Sequence, residues 1–200
     1  MTGLILSNLQ VHLNGRKLVQ LSCHLKPGQI LTVMGESGSG KSTLLSALIG
    51  ALPPQFVISG TITLNDRLLN GLATQERRLG ILFQDNLLFP HMSVAQNLGF
   101  GMAANVVDRN KRISDALELA GLRDFGPRDP ATLSGGQKAR VALLRTLLAE
   151  PQALLLDEPF SRLDTTLRGQ IRSFVFEQAQ LRQLPVIIVT HDDADALAAG

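Results

Sequence analysis

Residues 35–43 read GESGSGKST, and no other stretch limits the fold of this chain as tightly. The order Gly35, four residues, Gly40, Lys41, Ser42 is the pattern of a loop that holds a polyphosphate, and each residue type in it has a mechanical reason. Gly35, Gly38 and Gly40 let the backbone curl so that successive N–H groups point into one concavity. Lys41 adds a mobile positive charge for the outer phosphates, and Ser42 offers a hydroxyl to Mg2+. A helix predicted over 41–51 turns its positive dipole end toward the same anion. Residues 29–34, QILTVM, read as a short buried strand, so the order is strand, loop, helix. The plain alternative is a glycine-rich turn between a strand and a helix.

With 200 residues and 44% hydrophobic content, the chain can bury one sizeable core. Its net charge of +2 is spread over 19 basic and 17 acidic residues with no long basic run, which argues against nucleic acid as a partner. The single cysteine, Cys23, excludes a disulfide framework, favours a reducing compartment and reads as core packing in a strand. The opening MTGLILSNLQ lacks the basic start and sustained apolar stretch of a signal peptide. No apolar run nears the length of about 20 residues that spans a bilayer, so a role at a membrane calls for a separate membrane partner.

Taken in order, residues 3–34 look like strands. LILSNLQVHL alternates loosely, Asn14-Gly15 marks a hairpin turn, 18–25 returns, and Pro27-Gly28 turns again. Pro53-Pro54 is expected to end the first helix, and 56–64, FVISGTITL, is a further strand with Gly60 as a bulge. Residues 79–83, LGILF, form an apolar strand that ends on Gln84, where an amide can reach a metal ion or an attacking water. Helix signals then take over from Asp85 to Glu150. Ser93 caps a short helix through Gly99, and 108–120 carries apolar residues at Ile113, Ala116, Leu117 and Ala120 before Gly121 stops it. LSGGQ at 133–137 precedes a helix predicted over 138–149, with Ser134 placed to cap it and Gly135 and Gly136 baring N–H groups to an anion.

Residues 153–158, ALLLDE, lie between Pro151 and Pro159 and read as a buried parallel strand with two carboxylates where it leaves the sheet. Asp157 is suited to hold Mg2+ by way of its water or the Ser42 hydroxyl, and Glu158 to polarise a water against the γ-phosphate. After a helix to about Leu181, 185–190, PVIIVT, is the next buried strand, and His191 stands at its end. Lys41, Gln84, Asp157 and His191 are thus expected at four strand ends on one edge of a sheet. Singly, each has a plainer reading: a solvated loop residue at Gln84, a capped helix at LSGGQ, a polar turn after 153–158, a structural histidine at 191.

Together the motifs resemble the nucleotide-binding subunit of an ABC transporter. GESGSGKST is similar to the Walker A loop, Gln84 to the Q-loop, LSGGQ to the signature motif, ALLLDEP to the Walker B strand, SRLD to the D-loop and His191 to the switch histidine. The likeness runs from about residue 3 to residue 195, and LSGGQ is its most specific part. It implies an α/β fold: a P-loop NTPase (RecA-like) core with a mainly parallel sheet, a small antiparallel β subdomain and an inserted helical subdomain carrying the signature motif. The whole chain, 1–200, is then one ABC ATPase domain, with approximately 1–84 and 151–200 as core plus β subdomain and approximately 85–150 as helical subdomain. The resemblance implies ATP and Mg2+ as cofactors. Gly35, Glu36, Ser37, Gly38, Ser39, Gly40, Lys41, Ser42 and Thr43 would cradle the phosphates, and Ser42, Gln84 and Asp157 would hold the metal. Glu158 is implied as general base, with His191, Gln84 and Lys41 beside it at the reacting phosphate. Ser134, Gly136 and Gln137 would reach the nucleotide of a second ATPase subunit facing head to tail, in a homodimer or with a paralogue, and Asp164 would connect the two sites.

FQDNLLFPHMSVAQNLGFG and DEPFSRLD resemble the binding-protein-dependent importers of that family. This implies an integral membrane permease subunit and a solute-binding protein as partners, no nucleic acid, and a peripheral position on the cytoplasmic face of the inner membrane. The alternatives are a soluble ABC ATPase of DNA repair or translation, which carries a coiled-coil insertion or a tandem cassette, and a regulatory module that only responds to ATP. Lys41, Asp157, Glu158 and His191 argue against the second. Two departures stand out. With no Tyr or Trp, the chain has Leu13 beside His12 where the family stacks an aromatic ring on adenine, a loss of about 1 kcal/mol that a leucine or imidazole face recovers in part. The sequence also stops nine residues after His191, short of the family's usual further helix and strands, and is expected to be a minimal or clipped cassette.

Overall fold

The structure, a computed structural model, describes residues 2–36, 38–85, 87–161, 163 and 165–199. Ser37 and Asp164, both singled out above, lie outside the described residues. The chain forms two compact units: Met1–Ile81, Gln152–Glu158 and Phe176–Gly200 make the first, and Leu82–Pro151 with Pro159–Val175 the second.

The first unit begins with β1 (Leu4–Leu13) and β2 (Arg16–Leu25), joined by Asn14 and Gly15 at φ 51° and 79°, the left-handed pair that a two-residue hairpin turn demands. Then come β3 (Ile30–Met34), α1 (Lys41–Ile49), β4 (Phe56–Leu64) and the two-residue β5 (Arg67–Leu68). β6 (Leu79–Leu82) leads into the second unit, which holds α2 (Val94–Phe100), α3 (Arg109–Leu119) and α4 (Gly135–Leu148). The chain returns through β7 (Ala153–Asp157), α5 (Thr165–Leu181), β8 (Val186–Thr190) and α6 (Asp193–Ala199). One sheet has the order β2-β1-β4-β5 with antiparallel pairing, the other the order β3-β8-β7-β6, in which β3 and β7 both run parallel to β8.

The loose alternation of β1 has a geometric cause. Leu4 and Leu6 are buried, and so are Leu9 and Val11, a set that breaks period two between residues 6 and 9. Leu6 pairs with Cys23 and Leu9 with Leu21, while Ser7 pairs with Thr61 and Gln10 with Ser59, so β1 has one residue more than each neighbour over this stretch. Asn8, at φ 48°, takes up the extra length and returns the later apolar residues to the core face. The bulge therefore lies in β1, not at Gly60 as the sequence led us to expect. Gly60 sits opposite, at φ 84°, and a Cβ there would stand 2.2 Å from the Asn8 carbonyl oxygen.

α1 ends earlier than the proline pair implies. Gly50, left-handed at φ 75°, closes it three residues before Pro53. β3 is only half-buried, and Met34 is exposed, because β3 is the outer strand of its sheet among the described residues; the inner β7 and β8 are buried almost throughout. The core of this unit packs α1 between the two sheets: Leu44, Leu45, Leu48 and Ile49 meet Leu4, Leu6, Leu9, Ile62 and Leu64 from one sheet and Leu155, Ile187 and Val189 from the other. The second unit has its own core, in which Val94 and Leu98 of α2, Ile113 and Leu117 of α3, and Val141 and Leu144 of α4 come together.

Gly60→Ala is expected to lower unfolding stability by roughly 2–4 kcal/mol, since the new methyl group meets backbone at a left-handed position. Chemical denaturation checks this, and an unchanged midpoint would contradict the bulge assignment.

Candidate functional site

In the first unit, β3, β8 and β7 are adjacent and parallel, so their carboxyl ends open on one edge, where sheets of this kind receive ligands. β3 runs into the loop at 35–40, β7 delivers Asp157 and Glu158, and β8 delivers His191. The structure brings Ser42 to Asp157 and His191 to Glu158.

The loop curls back on itself. Gly38 and Gly40 are left-handed, and the Ser39 N–H donates to the Glu36 carbonyl at 3.2 Å. Lys41 opens α1 and is 8% exposed, its ammonium donating to the Gly35 and Glu36 carbonyls at 2.6 and 2.8 Å. Both acceptors are neutral, so an anionic phosphate oxygen competes for the same ammonium with the advantage of charge. Thr43 is half-buried in the first turn of α1, and Glu36, Ser39 and Ser42 are exposed at the loop rim.

Ser42 Oγ donates to Asp157 Oδ1 at 3.3 Å, bridging the start of α1 and the end of β7. Burial pushes the Asp157 carboxyl above the ordinary carboxylate range, the Ser42 bond and the Lys41 charge pull it back, and the neighbouring Glu158 adds to the rise. A hydroxyl and a partly desolvated carboxylate side by side are the hard oxygen donors that suit a small divalent cation. Glu158 follows with φ 45°, its N–H donating to the Val189 carbonyl at 2.9 Å. This left-handed turn aims the side chain at His191, whose Nδ1 lies 3.1 Å from Oε1, close enough for Nδ1–H to donate to the carboxylate. The sequence assigned the two residues separate roles and gave no sign of this contact.

The remaining predicted residues belong to the second unit. Gln84 donates from Nε2 to Ser161 Oγ at 3.1 Å, a partner that sequence reasoning missed because nothing in FSRLD marks it. Ser134 caps α4 as expected: its Oγ accepts from the Gln137 N–H at 3.3 Å while Gln137 Oε1 accepts from the Ser134 N–H at 2.9 Å. The helix itself starts at Gly135, three residues before the predicted start, so the glycines form its first turn and not a bare lead-in. Gly136 is buried, and a Cβ there would lie 2.3 Å from Leu167 Cδ2. The absent side chain thus makes room for a leucine as well as exposing backbone.

The model of the ABC transporter family matches residues 18–161. The chain belongs to that family. It is 49% identical to the uncharacterized ABC transporter ATP-binding protein YnjD of Escherichia coli (strain K12), over 98% of this chain and 91% of that protein. It is 43% identical to the thiamine import ATP-binding protein ThiQ of Aliivibrio fischeri, over 91% of this chain and 79% of that one. Among solved structures, CbiO1 of Clostridium perfringens, part of the ABC transporter complex CbiONQ, superimposes with a TM-score of 0.85 at 30% identity, over 98% of this chain and 81% of that one. This ABC subunit is accordingly an ATP-binding, ATP-hydrolysing component of a transporter, with the α/β fold of the P-loop NTPases. No helix among the described residues is long and apolar enough to cross a membrane.

The raised Asp157 carboxyl carries a stability consequence. A carboxyl whose folded pKa lies above its unfolded value binds its proton more tightly when folded, so it costs stability once pH exceeds the folded pKa and costs nothing below the unfolded one. Asp157→Asn is expected to raise the thermal unfolding midpoint of the nucleotide-free protein at neutral pH. The gain should vanish as pH falls through the carboxylate range. A midpoint lowered at neutral pH would contradict this.

Proposed function

We propose that this subunit powers solute uptake: two copies close head to tail over ATP on the cytoplasmic face of the inner membrane and drive a permease supplied by a solute-binding protein. The observation that carries the reading is the meeting of Lys41, Ser42, Asp157, Glu158 and His191 at adjacent strand ends in one unit. In this reading Lys41 and the amides of 35–43 bind the β and γ phosphates, and Ser42, Asp157 and Gln84 hold Mg2+. The metal, when bound, neutralises phosphate charge. Glu158 takes the proton of the attacking water, and His191, bonded to it at Nδ1, positions that carboxylate and approaches the γ-phosphate. Ser134, Gly136 and Gln137 add the positive end of α4 to the partner copy's nucleotide, which closure shields from water.

The import assignment draws on the resemblance of 83–101 and 157–164 to importer sequences and on ThiQ, an import protein by name. A groove in the second unit supports a docking place for the membrane subunit. His91, Met92, Gln96, Phe100 and Ile113 line it. Its wall is fixed by Asn97, fully buried, whose amide donates to the Phe89, Met92 and Ser93 carbonyls and accepts from the Phe89 N–H. Phe100, 60% exposed, offers apolar area at its rim.

Co-purification of the tagged chain from gently solubilised native membranes, with mass spectrometry of its companions, tests the reading. A multi-span protein together with a solute-binding protein is the expected result. Soluble partners or nucleic acid alone would leave the motor chemistry standing and remove the transport assignment.

A further inference from the structure

α1 is nine residues long and carries the phosphate loop at one end only. At the other end Gly50 N–H turns back to the Ala47 carbonyl at 3.2 Å and Ala51 N–H to the Ser46 carbonyl at 2.9 Å. A further donor comes from outside the helix. Arg77 Nη1 donates to the Leu48 and Ala47 carbonyls at 2.6 and 3.1 Å, and its Nε donates to the Leu72 carbonyl at 3.0 Å. Arg77 is 7% exposed, and no ion pair to a carboxylate holds it among the described residues. Buried arginines ordinarily meet an acid; this one meets the negative end of a helix dipole. Burial accordingly pulls its pKa below the usual arginine value. Gly50 belongs to the same device, since a Cβ there would lie 2.6 Å from the guanidinium Cζ and Nη2.

Apolar packing, which is non-directional, holds α1 between its two sheets, whereas the hydrogen bonds at its ends are directional. The polar groups at the two ends set the axial position. At the amino end these are the loop and what it binds; at the carboxyl end the group is Arg77. We propose that Arg77 is a positioning residue for nucleotide binding: by clamping the last carbonyls of α1 it fixes where Lys41 and the loop amides stand. The inference rests on the reading of residues 35–43 as the triphosphate site.

Equilibrium binding of ATP to the full chain tests it, using Arg77→Met, Arg77→Lys and Gly50→Ala beside Lys41→Ala, well below each variant's melting midpoint. Arg77→Met and Gly50→Ala are expected to raise the Kd for ATP roughly three- to tenfold, Arg77→Lys to raise it less, and KM to rise in step while kcat stays near the parent value. A merely structural clamp would lower the melting midpoint and leave the affinity of the folded protein alone. If Lys41→Ala loses binding while the Arg77 and Gly50 variants bind as the parent does, the inference is overturned and the loop reading stands. If Lys41→Ala binds ATP like the parent, the loop reading itself fails, and the inference with it. Should Arg77→Met not fold, the affinities of Arg77→Lys and Gly50→Ala decide in the same way.

Discussion

Helix Lys41–Ile49 is buried around most of its circumference because it is caught between an antiparallel and a mainly parallel sheet, and its leucines belong to both packings at once. That double burial leaves only the two ends of the helix for polar chemistry. One end carries a loop whose carbonyls hold an ammonium, the other a guanidinium set on the last carbonyls. A helix immobilised in this way presents its positive dipole end and its loop amides in a fixed place, which is what preorganised binding of a polyphosphate needs. The antiparallel sheet contributes by closing one side of this helix.

Parallel order in the second sheet does the rest. Strands that run the same way deliver every following residue to the same edge, so the neighbours Asp157 and Glu158 and the distant His191 all arrive beside the loop. The left-handed backbone at Glu158 then redirects one carboxylate from the Ser42–Asp157 pair toward the imidazole. Adjacent acids thereby acquire different surroundings: one is partly desolvated beside a hydroxyl, the other is bonded to a histidine. In the proposed mechanism this division of environments would separate a metal-holding role from a proton-accepting one.

Much of this was legible in the residues. The order strand, loop, helix follows from QILTVM and GESGSGKST, the buried strands from unbroken apolar runs, and the caps at Ser93 and Ser134 from a hydroxyl placed just ahead of a helix. What escaped was set by partners distant in sequence. The bulge in β1 showed only as a broken alternation, and Gly60, the visible glycine, marked the strand facing it. The early start of α4 escaped because glycines have poor helix propensity, and only the buried contact of Gly136 with Leu167 reveals why they are tolerated there. Arg77 went unremarked in the sequence because its partners are carbonyls that line up at the helix end only once α1 has formed. The bonds from Gln84 to Ser161 and from His191 to Glu158 likewise join residues that no local pattern connects.

The central claim is that these strand-end residues form a working ATPase site with Glu158 as its base. Steady-state ATP turnover by Glu158→Gln, measured beside its ATP affinity, tests this most directly. The amide keeps the size and a hydrogen-bonding oxygen but cannot accept the proton of the attacking water, so turnover should fall by at least about a hundredfold while affinity stays within roughly threefold of the parent. Hydrolysis at the parent rate would contradict the account.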